Sequence, residues 1–247
     1  MADHLPAQPI TLPERGWQIN PRHALIAAAL CWAGFAAMVV AVETGRTGWL
    51  DSTGLLFWRD SDLRPLGPPL LLEAVRDVTA LGGVLLRNVI AGIALVALLM
   101  LRLRREAVVL FGTVIGGWLV NSAIKGLVGR PRPDIVSHLT EAGGASFPSG
   151  HSFNAAVVYL AIALAFAAMS PRQGIRITIV AGAAVLALLI AFSRVWLGVH
   201  FPSDVIAGWL GGAGWALLAA ALLDRPAKVM AEQGEAALEA ATPGEVP

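Results

Sequence analysis

The amino-acid sequence predicts an all-α, polytopic membrane protein built as a bundle of six transmembrane helices. The 247-residue chain is 56% hydrophobic and only 14% charged, with a mean hydropathy of +0.68. This composition lies far outside the usual balance of a soluble domain. Apolar runs close to the roughly 20 helical residues that cross a bilayer core recur along the chain. The predicted spans comprise residues 24–42, 84–101, 107–124, 153–169, 175–192 and 205–223.

The spans and their flanking segments divide the chain into three parts. Residues 1–23 are polar and contain prolines, without the short apolar core and small-residue cleavage site of a signal peptide. We therefore expect a cytoplasmic N-terminal segment and a first span that is retained as an anchor. Residues 24–223 form the predicted six-span membrane domain. Residues 224–247 are predicted to be a cytoplasmic polar tail that is disordered.

The first loop on the outer side contains the stretch LLLEAVRDVTALGG, residues 70–83. Its apolar residues recur at helical spacing, which predicts an amphipathic helix on the membrane surface. Two interpretations remain open for this helix. It guides a lipid substrate toward the protein, or it only packs against the bundle.

The distribution of Lys and Arg predicts the orientation of the bundle. Basic residues cluster before span one, between spans two and three, between spans four and five, and after span six. Basic residues near span ends tend to remain cytoplasmic. Both termini are therefore predicted to be cytoplasmic, and loops 43–83, 125–152 and 193–204 are predicted to face outward.

Three polar blocks lie at the outer ends of the predicted spans. The first is KGLVGRPRP, which begins at Lys125 and contains Arg132. The second is PSGH, residues 148–151, and the third is SRVWLGVHFPSD, residues 193–204. In a six-helix bundle these blocks can converge on one pocket at the outer surface.

The residue types in these blocks are typical of a phosphate site. Arginine forks match phosphate oxygens, lysine adds a point charge, and free N–H groups at a helix N-terminus bind anions. The candidate cations are Lys125, Arg132 and Arg194. These cations can stabilise the charge on a transferring phosphoryl group. We expect no metal or other cofactor, because the carboxylates are too few and too scattered for a two-metal site.

Two histidines supply candidate nucleophilic and acid–base groups. His200 and Asp204 are four residues apart, which would place them on one face of a helix. The carboxylate could then fix the imidazole tautomer and leave the other nitrogen to attack phosphorus. His151, from another block, could protonate the leaving oxygen as a general acid. His138 has no motif neighbour, so we expect it to be structural.

Together the three blocks resemble, in residue type, spacing and order, the signature of the type 2 phosphatidic acid phosphatase family. The resemblance implies a six-helix membrane enzyme that dephosphorylates lipid phosphates through a phosphohistidine. It also implies a role for each matching residue. The implied phosphate ligands are Lys125, Arg132 and Arg194, assisted by Ser149 and the Gly150 amide, and the implied catalytic residues are His200 (nucleophile), Asp204 (its partner) and His151 (general acid).

The substrate remains open among several lipids of a bacterial cytoplasmic membrane: undecaprenyl diphosphate, phosphatidylglycerol phosphate, phosphatidic acid or a lipid A phosphate. Vanadium haloperoxidases share the family resemblance, but they are typically soluble, and the six apolar spans argue against that class. An anion transporter would place its charges near the bilayer midplane, whereas here they cluster at one face. The net charge of +1, with no basic stripe among aromatic residues, excludes nucleic acid as a partner.

Overall fold

The computed structural model of the chain describes residues 20–241 except 168 and 171, and for residues 222–241 it describes the backbone alone. The described residues fold into helices joined by short connections and one longer loop. These helices are α1 (Pro21–Glu43), α2 (Gly48–Leu56), α3 (Pro69–Leu81), α4 (Val84–Met100), α5 (Arg104–Val128), α6 (Gly150–Ala167), α7 (Gln173–Trp196) and α8 (Pro202–Ala241).

The predicted membrane bundle is confirmed. Five helices are long and apolar enough to cross a bilayer: α1, α5, α6, α7 and the first 20 residues of α8. Helices α3 and α4 bend by 50° at the short break between them and pass the same test only as a pair, which gives six spans if the pair counts as one. The chain is therefore an all-helical, multi-pass membrane protein.

Local signals set several helix ends. Asn20 caps α1 by accepting a hydrogen bond from the Arg22 amide at 3.0 Å, and Pro21 occupies the first helical turn, where its missing N–H is not needed. Helix α5 ends at Gly129, whose φ of 61° is a left-handed conformation that glycine adopts without steric cost. The helix therefore ends within the KGLVGRPRP block, and the chain turns at Gly129 toward Arg132.

The predicted helix at residues 70–83 exists as α3. It packs against α7 and continues through the bend into α4, which agrees with the interpretation that it packs against the bundle. Thr79 is buried there, whereas Leu70 is 72% exposed on the other face. The same loop also contains α2, which the sequence pattern did not predict because nine residues are too short for a clear helical period.

The predicted polar tail, residues 224–247, begins within α8. The backbone is helical to Ala241. Alanine and glutamate, which dominate this stretch, have high helix propensity. Residues 1–19 and 242–247 of the two predicted terminal segments lie outside the described residues.

Helix α6 lies at the centre of the bundle. It packs against α8, α7, α5 and α4, and small alanine side chains at Ala155 and Ala156 let α7 and α8 approach closely. Gly212 of α8 allows this approach, because a Cβ there would lie 2.2 Å from the Phe153 carbonyl oxygen. The central position of α6 brings the start of this helix next to the start of α8 and the end of α7.

Candidate active site

The alternating direction of the helices brings all the predicted site residues to one end of the bundle. Helices α5 and α7 end there, and α4, α6 and α8 begin there. Because these ends are packed together, charged groups from all three sequence blocks lie within electrostatic range of one another. These groups are Lys125, Arg132, His151, Arg194, His200 and Asp204.

His200 and Asp204 form a buried pair, with 2% and 0% of their surfaces exposed. His200 Nδ1 lies 3.4 Å from Asp204 Oδ2, which is a long contact. The Ser146 hydroxyl bridges the two side chains: it lies 3.2 Å from His200 Nδ1 and donates to Asp204 Oδ2 at 2.5 Å. The Phe201 amide also donates to Asp204 Oδ2, at 3.0 Å. The carboxylate is therefore held in one orientation facing Nδ1.

Arg132 contacts the other nitrogen of the same imidazole. Its Nη1 lies 3.1 Å from His200 Nε2, and it also donates to the Val199 carbonyl at 2.8 Å. Arginine has only donors, so Nε2 must accept and the proton must sit on Nδ1. Burial lowers the pKa of His200 to about 4, Asp204 opposes this shift, and Arg132 and Arg194 reinforce it. At neutral pH His200 therefore presents an unprotonated Nε2 toward the cations.

Asp204 belongs to a second network, which the sequence did not reveal. Arg130 donates to Asp204 Oδ1 at 2.6 Å and to Asp51 Oδ2 of α2 at 2.7 Å. Ser203 donates to both Asp51 oxygens, from its amide at 3.0 Å and its hydroxyl at 2.8 Å. The guanidinium also stacks 4.1 Å over the ring of Phe201. Asp51 thus ties α2 to the start of α8, next to the His200–Asp204 pair.

The PSGH block forms the first turn of α6. Gly150 begins the helix, where backbone N–H groups lack helical partners, and a Cβ added at Gly150 would lie 3.7 Å from Lys125 Cε. The Lys125 ammonium donates to the Ala145 carbonyl. Ser149 is fully buried, and its hydroxyl accepts from the Ser152 hydroxyl at 3.0 Å. The structure thus brings Lys125 beside the Gly150 turn but directs the Ser149 oxygen toward Ser152.

His151 and Arg194 lie beside the bend between α3 and α4. Arg194 is 3% exposed, and its Nη1 donates to the Thr79 hydroxyl at 2.9 Å. A Cβ added at Gly82 would lie 2.3 Å from Ile190 Cγ2 and 3.1 Å from His151 Cδ2, so the glycine lets the bend lie close to both side chains. His138, expected to be structural, has its Nε2 2.8 Å from the Pro133 carbonyl oxygen.

Four further residues at this end were missed by the sequence interpretation: Arg87, Asp51, Arg130 and Ser146. Arg87 had the clearest available signal, because an arginine within an apolar span is usually functional. Arg130 stood in a recognised block without an assigned role. Asp51 and Ser146 carry no sequence signal, because their importance comes from contacts with residues far along the chain.

Among the described residues, no group of three or more His, Cys, Asp and Glu side chains is placed to hold a metal ion. Both carboxylates at the site are already paired with the Arg130 guanidinium. The donor set near His200 consists of cations and N–H groups, which suit an anion.

Comparisons with known proteins agree with this site. The PAP2 superfamily matches residues 105–227. The chain is 43% identical over 94 residues to phosphatidylglycerophosphatase B of Bacillus subtilis, covering 37% of this chain and 45% of that protein. It is 37% identical over 125 residues to a lipid A 1-phosphatase of Rhizobium johnstonii, covering 47% of each. The chain thus spans about half the length of the curated relatives it matches.

A solved structure extends the likeness to the whole bundle. The crystal structure of a transmembrane PAP2 type phosphatidylglycerolphosphate phosphatase from Bacillus subtilis superposes with a TM-score of 0.70 at 25% identity, covering 80% of this chain and 96% of that one. The three polar blocks, within residues 125–204, all fall inside the matched region. The resemblance drawn from those blocks is confirmed: the chain contains a PAP2 superfamily domain.

Proposed function

We propose that this protein is a membrane phosphatase that hydrolyses lipid phosphates through a phosphohistidine on His200. One observation carries the proposal. His200 Nε2 lies 3.1 Å from Arg132 Nη1, while Nδ1 faces Asp204 and Ser146. The unprotonated nitrogen therefore faces a cation that can bind phosphate, and a phosphate that draws the Arg132 guanidinium to itself would leave the Nε2 lone pair available to attack phosphorus.

In the first step, His200 Nε2 attacks phosphorus and the bond from phosphorus to the leaving oxygen breaks. The electron pair stays on that oxygen, which takes a proton from His151. Asp204 stabilises the positive imidazole that forms, directly and through the Ser146 hydroxyl. Lys125, Arg132 and Arg194 stabilise the transferring group, with the Gly150 amide and Ser149 as further ligands.

In the second step, water attacks the phosphohistidine. The bond from phosphorus to Nε2 breaks, its electrons return to the imidazole, and the water proton passes to His151. The products are inorganic phosphate and the dephosphorylated lipid. Every charge that develops is met by a side chain of this protein, so the mechanism needs no metal or other cofactor.

The proposed substrate is a phosphate monoester or diphosphate of a membrane lipid. Candidates are phosphatidylglycerol phosphate, undecaprenyl diphosphate and phosphatidic acid, with a lipid A phosphate as the alternative. The names of the relatives from Bacillus subtilis and Rhizobium johnstonii support this class. The location of the site at a helix end also supports it, because lipid headgroups lie at that depth.

We place the protein in the bacterial cytoplasmic membrane, with both termini in the cytoplasm and the active site on the outer face. The basic residues of the short loops support this orientation. The clustering of the cations at one end of the bundle favours an enzyme over an anion transporter, which would need charges near the bilayer midplane. The membrane-spanning bundle also disfavours a haloperoxidase.

The test is phosphate release by the purified protein in detergent, with excess EDTA, combined with trapping of labelled phosphoenzyme by rapid acid quench. We expect turnover in EDTA, inhibition by vanadate, and a phosphoenzyme that is absent in His200→Ala. The control is His138→Ala, whose imidazole contacts only a carbonyl in the outer loop. Equal trapping in His200→Ala and wild type would exclude His200 as the nucleophile, and activity that requires an added divalent ion would contradict the metal-free mechanism.

A further inference from the structure

Arg87 of α4 is a buried cation for which the mechanism above has no role. Only 5% of the Arg87 surface is exposed. Its guanidinium makes a single hydrogen bond among the described residues, from Nη1 to the Gly82 carbonyl at 3.3 Å, and its Nε is buried without a partner. No carboxylate of the described residues pairs with it. A buried cation in this state is costly unless an anion binds beside it.

The position of Arg87 shows where that anion would lie. Arg87 donates to the Gly82 carbonyl, and a Cβ added at Gly82 would lie 3.1 Å from His151 Cδ2, so the arginine is bonded to the segment that lies beside this imidazole. Arg132, by contrast, contacts His200. Arg87 is therefore on the general-acid side of the site, where the leaving group departs.

A cation on this side suits one class of leaving group. When a lipid phosphate monoester is cleaved, the leaving group is an alcohol, which needs only a proton. When a lipid diphosphate is cleaved at the terminal phosphorus, the leaving group is a second phosphate that keeps its negative charge. That charge is best met by an arginine with unused donors.

We infer that Arg87 binds the inner phosphate of a lipid diphosphate, and that this contact makes the enzyme selective for diphosphates over monophosphates. The inference rests on the proposed function. In the reaction, His200 Nε2 attacks the outer phosphorus and the bond to the bridging oxygen breaks. The electron pair stays on that oxygen, and Arg87 stabilises the lipid monophosphate that leaves. Water then releases inorganic phosphate from His200.

The experiment compares two substrates with the same chain, farnesyl diphosphate and farnesyl monophosphate, at the purified wild type and at Arg87→Met and Arg87→Lys. A hydrogen bond to a charged group contributes about 1.5–3 kcal/mol, so we expect Arg87→Met to lower kcat/KM for the diphosphate about 10- to 100-fold more than for the monophosphate. Arg87→Lys, which keeps the charge, should restore part of this selectivity.

Arg59→Met is the matched control. Arg59 is also a buried outer-end arginine, 7% exposed, but it donates to the backbone carbonyls of Trp196 and Trp58. Its loss should leave the ratio of the two kcat/KM values unchanged. Equal losses on both substrates in Arg87→Met, or no loss on either, would overturn the inference while leaving the phosphatase itself established by the wild-type activity. Failure of the wild type to release phosphate from either substrate would instead remove the proposed function.

A second measurement does not depend on the folding of a variant. Methylenediphosphonate and methylphosphonate are non-hydrolysable probes that differ by one phosphonate group. Both compounds are tested as inhibitors of farnesyl monophosphate hydrolysis by the wild type. The inhibition constant of methylenediphosphonate should be at least about tenfold lower than that of methylphosphonate, because only the diphosphonate can also contact Arg87. Equal inhibition constants would show that no second phosphate site exists beside the first.

Discussion

The Arg130 guanidinium lies 2.6 Å from the Asp204 carboxylate and, on its other edge, 2.7 Å from Asp51. Asp204 has no exposed surface, and it faces His200 through its second oxygen. One arginine therefore bridges two buried carboxylates and fixes the one that faces His200. This relationship connects α2, the loop after α5, and the start of α8.

Removing one member of this contact should destabilise the protein strongly. Breaking a buried pair leaves an uncompensated charge, which reduces stability by about 3–5 kcal/mol. We expect Asp51→Asn to lower the unfolding temperature in detergent and to reduce kcat, because Arg130 and Ser203 both lose a partner. The control is Asp62→Asn, whose contact with Arg64 at 3.8 Å is exposed and should contribute about 0–1 kcal/mol. Identical unfolding temperatures for the two variants would show that the Asp51 contact is not stabilising.

Ser146→Ala should reduce kcat with little change in KM. The variant removes the hydroxyl between His200 and Asp204 and leaves only their 3.4 Å contact. We expect a loss of about 10- to 100-fold, the equivalent of one hydrogen bond to a charged group. Ser137→Ala, at an exposed position of the same loop, is the control. A Ser146→Ala enzyme with wild-type kcat would exclude a role for this hydroxyl in the reaction.

His200 should remain neutral far below the usual histidine range. Its pKa is lowered to about 4, mainly by burial. In the proposed mechanism the neutral form is the nucleophile, so protonation of His200 should reduce activity only near pH 4. The stability of the folded protein should also fall at low pH. The contribution of His200 to the free energy of unfolding is complete above about pH 6.5. It is lost as the pH falls toward 4, because the unfolded chain takes up the proton first.

The measurement is an NMR titration of protein labelled with ¹⁵N-histidine, in which the His200 signal is identified by its absence in His200→Ala. Asp204 raises the pKa of His200, so Asp204→Asn should move the midpoint lower still. A wild-type midpoint near 6.5 would contradict the buried, neutral imidazole.

His151→Ala should affect substrates according to their leaving groups. An alkoxide needs the proton that His151 supplies, whereas a phosphate leaving group needs it less. We expect kcat for an alkyl phosphate monoester to fall about 10²–10⁴-fold, the usual contribution of general acid catalysis, and kcat for a phenolic ester with a good leaving group to fall much less. Equal losses on both esters would exclude the general-acid role.

The orientation can be tested with single cysteines in a Cys31→Ser background. Ser137 is exposed in the outer loop beside the site, and Ser170 follows α6 at the opposite end. We expect Ser137→Cys to react with an impermeant maleimide in intact spheroplasts, and Ser170→Cys to react only after lysis. The reverse labelling pattern would show that the orientation is opposite to the predicted one and that the enzyme acts on lipids of the cytoplasmic leaflet.

The sequence alone determined the fold class and the region of the site. Span length and apolar character are local properties, so five predicted spans correspond to single helices. Four of these helices extend further at both ends, whereas α6 begins and ends a few residues earlier than predicted. The three polar blocks could also be read locally, because their spacing is fixed within short segments. The roles of His200, His151 and the phosphate-binding cations remain predictions.

Only the tertiary structure decided which other groups complete the site. Asp51 and Arg130 are 79 positions apart, and Arg194 and Thr79 are 115 apart. No local pattern links such pairs, because they meet only after α2, α3 and α7 have packed at one end of the bundle. The bend between α3 and α4 also depends on packing. Composition predicted two separate segments, and in the structure α3 packs against α7 and meets α4 at a 50° bend beside the start of α6.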